Sequence, residues 1–441
     1  MSSAEFGSFT LLLLLLITTA HLLGYAFARV RQPRVVGELL AGVLLGPSVL
    51  GSVAPALSQA IFSSQPASGA NIKSQAVIGF LYNLGLLLLM FASGAETKGL
   101  FRRDDRRAVA WLGGLGTGLP FIFALLAAPL LPLDWLMGAA NQRASLLLVI
   151  GIAVAVTSIP VISKIFHDLD ILHTRFARLI LGVAVVEDIL LWGVLAVATA
   201  LAAANALPER QIAVHIVATL VYFGLGLTIL PKILGMFARA RWNVLVRTSP
   251  VAYVVVVLLG YTALAAAFDV SMVFAAFLAG YALVTETELT ELTEATRTLN
   301  KVSFSVFIPV YFAVVGYQLD LTRTFSLWMV VTVLSAACVV KLASALLGSR
   351  LAGFRWRDSV NLSVALNARG GPGIVLASVA YEARIINPEF YTTLVVLAVL
   401  TSQAAGAWLA YVLGKGWPLL TEQAERTSPV AARLKSGVGI R

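Results

Sequence analysis

The chain reads as long apolar blocks separated by short polar punctuation. Thirteen blocks can be drawn, over 8–28, 35–51, 75–95, 109–131, 144–166, 177–203, 211–237, 251–267, 270–285, 303–318, 326–348, 360–382 and 390–414. A bilayer-spanning helix needs about 20 apolar residues. The pattern therefore predicts an all-α polytopic membrane protein of about thirteen transmembrane helices. One transmembrane unit fills 1–414, and a short tail, 415–441, follows it. Neither that tail nor the longest loop, 51–74, can bury a core of its own.

Composition agrees: of 441 residues, 59% are hydrophobic and 12% charged, which excludes an ordinary soluble enzyme. The formal net charge of +10 would suit nucleic acid if the basic residues formed a patch. They lie instead in short clusters between apolar blocks. The connections after odd-numbered blocks, with the block ends that flank them and the tail, hold 25 of the 32 Lys and Arg, against 5 in the even-numbered connections. Cytoplasmic loops carry such an excess, so the N-terminus is expected outside, the C-terminus in the cytoplasm, and no nucleic-acid partner. Leu11 to Leu16 followed by Ala26-Phe27-Ala28 resembles a cleaved secretory leader. However, Glu5 and no basic residue precedes the run, while Arg29, Arg31 and Arg34 follow it, the arrangement of a retained first span.

Two blocks contain helix-breaking chemistry at matching places. The fifth reads Thr157-Ser158-Ile159-Pro160, and the twelfth reads Asn367-Ala368-Arg369-Gly370-Gly371-Pro372-Gly373. Proline removes a backbone donor, so each block is a candidate for a discontinuous helix whose freed backbone groups need partners. Paired interruptions in corresponding halves point to a transporter site built from an inverted repeat. A simple proline kink in each is the plainer alternative.

Four ionisable residues lie deep in these blocks: Glu187 and Asp188 in the sixth, Lys341 in the eleventh and Arg369 at the break of the twelfth. Each costs roughly 2.5 to 3.5 kcal/mol to insert and is functional by default. Two negatives and two positives can compensate one another. Adjacent on a helix, Glu187 and Asp188 point about 100° apart, so one can bind an ion while the other takes a counter-charge. A partly dehydrated carboxylate can hold a proton or a hard monovalent cation but not both, which is the physical basis of exchange. A static ion-pair network that locks the helices is the competing reading.

At the fifth block's break, Thr157 and Ser158 offer hydroxyls beside unwound carbonyls. Half-helix C-terminal ends suit a cation, and Arg369 would neutralise such ends. Back-bonding to a helix carbonyl is the ordinary alternative for both hydroxyls. His21, His167, His173 and His215 are read as solvated or peripheral, and Glu286, Glu288, Glu291 and Glu294 as a solvated helix face. Cys338 is a lone thiol in an apolar block, with no metal-ligand pair around it.

In this order and at these blocks, several segments resemble the monovalent cation/proton antiporters, in the branch that holds bacterial sodium/proton exchangers and glutathione-gated potassium efflux systems. They are Val36-Gly37-Glu38-Leu39-Leu40-Ala41-Gly42-Val43-Leu44-Leu45-Gly46-Pro47, Gly85 to Glu96 with its Phe91-Ala92-Ser93-Gly94-Ala95-Glu96 end, Thr157-Ser158, Glu187-Asp188, Ile308 to Gly316, Lys341, and Ala368-Arg369-Gly370. The resemblance implies an inverted-repeat antiporter fold with two crossing discontinuous helices. It also implies a homodimer with a dimerisation part and a mobile core, and elevator-type alternating access in the inner (plasma) membrane of a bacterium. Asp188 would bind the ion and the proton, Glu187 would pair with Lys341, Thr157 would join Asp188 on Na+ or K+, and Arg369 would balance the broken helices. The family's usual pairs here are Asp-Asp, Asn-Asp or Gln-Asp, so Glu187 is a departure that keeps the charge and adds a methylene.

The expected activity is exchange of Na+ or K+ for protons, with membrane lipid as surroundings and no cofactor. A gated K+ efflux pathway of channel type is an alternative, for which a separate regulatory subunit would replace the missing nucleotide-binding domain. A transport-dead sensor is another. No Gly-x-Ser-x-Gly elbow, His-Glu-x-x-His or aspartate-rich diphosphate motif supports a membrane enzyme.

Overall fold

The computed structural model describes residues 3–29, 32–56, 70–96, 105–127, 130, 132–203, 209–268, 270–286 and 289–421. Part of the longest loop (57–69), tail residues 422–441, Glu288, and the charges Arg31, Lys98, Arg102, Arg103, Arg426, Arg433, Lys435 and Arg441 lie outside the described residues, as do the side chains of Glu286 and His215.

The described chain is helical throughout, apart from one isolated bridge between Met137 and Ile386. Its principal helices are α1 (Ser3–Arg29), α2 (Arg34–Leu45), α3 (Ala70–Ala95), α4 (Arg106–Ala127), α5 (Arg143–Ala155), α6 (Ile159–Asp168), α7 (Arg175–Ala203), α8 (Glu209–Arg239), α9 (Pro250–Ala267), α10 (Met272–Glu286), α11 (Thr290–Gln318), α12 (Leu327–Leu351), α13 (Trp356–Leu366), α14 (Gly370–Glu382) and α15 (Pro388–Gly414). Ten helical segments among the described residues are long and apolar enough to cross a membrane. Large side chains such as Leu220, Leu225, Ile229 and Met236 on α8 are exposed, as lipid-facing positions of a membrane helix must be.

α11 exceeds its apolar block by the widest margin. α11 begins at Thr290, not near 303, because its first turns are amphipathic. Leu292, Ala295 and Thr296 are buried there while Glu294 and Arg297 form an exposed pair at 2.7 Å. Of the expected solvated face, Glu291 and Glu294 lie on the outer side of this continuous helix, whereas Glu286 ends α10 and Glu288 is outside the described residues. Two π-helical stretches, Gly114–Gly118 in α4 and Ser303–Phe307 in α11, interrupt the α-helical register.

The helices pack in two sets. α1, α2 and α3 pack with α8 to α11, chiefly α2 on α11 and α3 on α10; α4 to α7 pack with α12 to α15. Within the first set small residues let backbones touch. A β-carbon on Gly42 would fall on the Ala313 carbonyl and one on Gly316 on the Leu39 carbonyl, so α2 and α11 meet at a reciprocal glycine pair. Gly94 against Phe277 and Gly280 against Phe91 repeat the device between α3 and α10. Close small-residue crossings are how membrane helices gain packing where lipid offers no hydrophobic drive.

Candidate functional site

The two sequence breaks are two real interruptions, and they meet. α5 ends at Ala155, Val156 turns extended (φ −67°, ψ 141°), and Ser158 caps α6, its hydroxyl accepting from Val161 N at 3.3 Å. Pro160 falls in the first turn of α6, where a missing N–H leaves no bond unmade. α13 ends at Leu366 and α14 starts at Gly370, whose φ of +39° suits glycine. A β-carbon at Gly370 would also press on Val161 and lie 2.8 Å from Ser158 Oγ. Ser158 N donates to Ala368 O at 2.7 Å and Thr157 Oγ1 to Leu366 O at 2.6 Å. Each interruption therefore satisfies polar backbone that the other exposes. The Thr157 hydroxyl bonds across to the second break, not back into its own helix.

The remaining carbonyls at the end of α5 go to the two buried cations. Arg369, 1% exposed, uses all five guanidinium donors. Nε binds Ala153 O (2.9 Å), Nη2 binds Val154 O (3.0 Å) and Ala337 O (3.2 Å), and Nη1 binds Asn367 O (3.2 Å) and Asn367 Oδ1 (2.8 Å). Lys341 takes Ala155 O. The C-terminal end of a half-helix carries partial negative charge, and here it is met by two positive side chains.

Lys341 Nζ also pairs with Glu187 Oε1 at 2.8 Å, both side chains fully buried. The Thr117 hydroxyl donates to the same oxygen. Thr117 sits in the π-helical stretch of α4, a deformation that often accompanies functional positions. Glu187 therefore carries a counter-cation and a neutral donor. Asp188 has a neutral donor but, among the described residues, no counter-cation: it is fully buried, its Oδ2 accepts from Ser93 Oγ at 3.2 Å, and its Oδ1, like Glu187 Oε2, makes no hydrogen bond. The adjacent acids thus have distinct surroundings, one paired with a buried cation and one facing only a neutral hydroxyl.

All six residues singled out from the sequence fall in this region. Glu187, Lys341 and Arg369 are joined through the end of α5; Thr157 and Ser158 hold the breaks together; Asp188 stands beside them on α7. Sequence reasoning missed Ser93, Thr117 and Asn367 as site residues. The signals present were a lone hydroxyl in the Phe91-Ala92-Ser93-Gly94 run and the glycine density of Gly113 to Gly118. Cys338 accepts from Asn367 Nδ2 at 3.3 Å, His21 bonds its own helix at Ile17 O, and His167 and His173 are exposed.

Two cavities of about 490 Å³ each lie where the helix sets face one another. One is lined by His21, Arg34, Glu38, Glu96 and Lys164 and reaches Gly371 at the second break. The other is lined by Asn83, Thr199 and Glu382. Asp188 lines neither.

A family model described as "Sodium/hydrogen exchanger, transmembrane" matches residues 13–415. Among curated relatives, the chain is 27% identical to K(+)/H(+) antiporter 1 of Saccharomyces cerevisiae, over 91% of this chain and 46% of that protein. It is 28% identical to a Na(+)/H(+) antiporter of Synechocystis, over 89% of this chain and 95% of that protein. The chain thus spans about half the length of the yeast relative, and of the matched Arabidopsis cation/H(+) antiporter 18. A solved sodium proton antiporter of Methanocaldococcus jannaschii shares the fold, with a TM-score of 0.60 at 13% identity over 93% of this chain and 98% of that one.

Proposed function

The chain belongs to the sodium/hydrogen exchanger family, and on that premise we propose that it is a secondary antiporter exchanging a monovalent cation, Na+ or K+, for protons. The observation that carries this reading is the contrast between two adjacent buried acids. Glu187 is held by the Lys341 cation and by Thr117, while Asp188 has only the neutral Ser93 hydroxyl and, among the described residues, no counter-cation. A fully buried carboxylate without a counter-charge accepts a proton or a dehydrated cation, and one occupant excludes the other.

In this reading thirteen spans form an inverted repeat, with the N-terminus outside and the C-terminus in the cytoplasm; the distribution of Lys and Arg supports it. α4 to α7 with α12 to α15 make the moving part, and the other set makes the dimerisation part of a homodimer. Arg369 and Lys341 keep the end of α5 neutral, so the cation meets Asp188 without competition from stray half-helix charge. Cavities on the two sides with Asp188 lining neither support alternating access through a closed intermediate.

The test is exchange in proteoliposomes with a pH-sensitive dye, offering Na+ and K+ in turn. Asp188→Asn, purified and folded, is expected to show no exchange; full activity would overturn the reading. Cation flux without proton counterflow would favour a channel-type efflux pathway instead.

A further inference from the structure

The cavity that holds Glu382 has a composition its partner lacks. Among the described residues Glu382 is the one charged group in its lining, with Asn83, Thr199, Thr219 and Ser271 as the polar remainder and apolar residues between them. The opposite cavity mixes Glu38 and Glu96 with His21, Arg34 and Lys164. Position adds to the contrast. The Glu382 cavity is built from the last turns of α7, α9 and α14 and the first turn of α10. Those ends are remote from the arginine-rich ends at Arg175 of α7 and Arg247 before α9. In the topology proposed above, they face the outside.

Glu382 is poorly explained by local structure. It is the final residue of α14, where the helix macrodipole favours a cation and disfavours a carboxylate. No salt bridge neutralises it among the described residues, and Arg384, two positions on, is exposed and does not line the cavity. Its carboxylate is exposed within the cavity and in hydrogen-bond reach of Tyr82. A neutral donor orients the charge without cancelling it. A recess with low-dielectric walls and a single sign of charge focuses field and raises the local concentration of counter-ions.

We propose that this cavity is a vestibule for monovalent cations on the outer face, and that Glu382 is the group that concentrates them there. The proposal rests on the antiporter reading, and it assigns Glu382 a role in cation entry from one face, with Asp188 remaining the exchange site. Because the effect is that of an exposed charge, it is screened by salt.

The test compares right-side-out and everted membrane vesicles, with the cation concentration for half-maximal exchange measured from each face at low ionic strength. In Glu382→Gln this concentration is expected to rise about 3- to 10-fold for entry from the outer face and to change less than about 2-fold from the inner face. The maximal rate should stay close to that of the unaltered chain, and Glu382→Asp should behave like the unaltered chain. Impermeant choline chloride at about 0.3 M should erase the difference. An equal shift from both faces, a shift that salt leaves intact, or no shift overturns the vestibule while the exchanger reading stands. An unaltered chain that exchanges nothing overturns both. A Glu382→Gln variant inactive from both faces, with Glu382→Asp inactive as well, makes Glu382 structural and also overturns the vestibule.

Discussion

Ser93 Oγ donates to Asp188 Oδ2 across 3.2 Å, joining α3 of one helix set to α7 of the other. α7 packs on the other set mainly at α8 and more thinly at α10, so this bond adds a tie from Asp188 to α3. A hydrogen bond to a charged group contributes about 1.5 to 3 kcal/mol. Ser93→Ala is expected to expose Asp188 more often, accelerating its labelling by a water-soluble carbodiimide by roughly tenfold, as read by mass spectrometry of the α7 peptide. An unchanged labelling rate would mean that the bond does not hold the closed arrangement.

The Glu187 and Lys341 pair is expected to behave as a unit. Removing one partner of a fully buried pair strands the other charge, at a cost of about 3 to 5 kcal/mol. Lys341→Met alone should lower the melting temperature in detergent sharply, and Glu187→Gln combined with Lys341→Met should recover at least half of the loss. Neutral packing replaces a buried ion pair with little penalty. A double variant no more stable than Lys341→Met would show that the lysine acts mainly through the Ala155 carbonyl.

Legibility in the sequence followed the energy scale of each feature. The ten membrane-long helical segments among the described residues were readable because lipid demands long apolar blocks, and the breaks because Pro160 and Gly370 leave few alternatives. The buried charges were readable because each is costly enough to need a reason. What could not be read was who satisfies whom. The bond from Thr157 to Leu366 O joins residues 209 positions apart, and no local pattern encodes it. Ser93 and Thr117 are common residues whose weight comes only from facing Asp188 and Glu187. The first half of α11 escaped because its polar face hid a helix that hydropathy alone does not count.

The glycine crossings yield a graded prediction along α3. Gly94 has no room for a β-carbon against Phe277 O, whereas Gly79, on the same helix, has nothing within 4 Å of that position. Overpacking a tight contact costs about 1 to 3 kcal/mol, and here the obstacle is backbone, which yields least. Gly94→Ala should therefore reduce the yield of monodisperse protein and lower its melting temperature, as should Gly42→Ala at the α2 and α11 crossing. Gly79→Ala should be neutral or slightly stabilising, since alanine favours a helix by up to about 1 kcal/mol over glycine. Equal behaviour of Gly94→Ala and Gly79→Ala would remove the close crossing as the reason for the glycine.

If one carboxylate takes both substrates, acidity must weaken cation binding. Glu187 is paired with the Lys341 cation, leaving Asp188 as the acid without a counter-charge, the one for which proton and cation would compete. By linkage, a cation that displaces one proton loses up to about tenfold in apparent affinity per pH unit once the protonated form dominates, and becomes independent of pH where the carboxylate is already ionised. The half-maximal cation concentration for exchange should therefore fall from about pH 6 toward pH 9 and then level off, with the same shape for Na+ and K+ because the proton, not the cation, sets it. Isothermal binding in detergent should show the same trend together with proton release on cation addition. An affinity flat over that range, or cation binding without released protons, would separate the two sites and assign proton transport to another group.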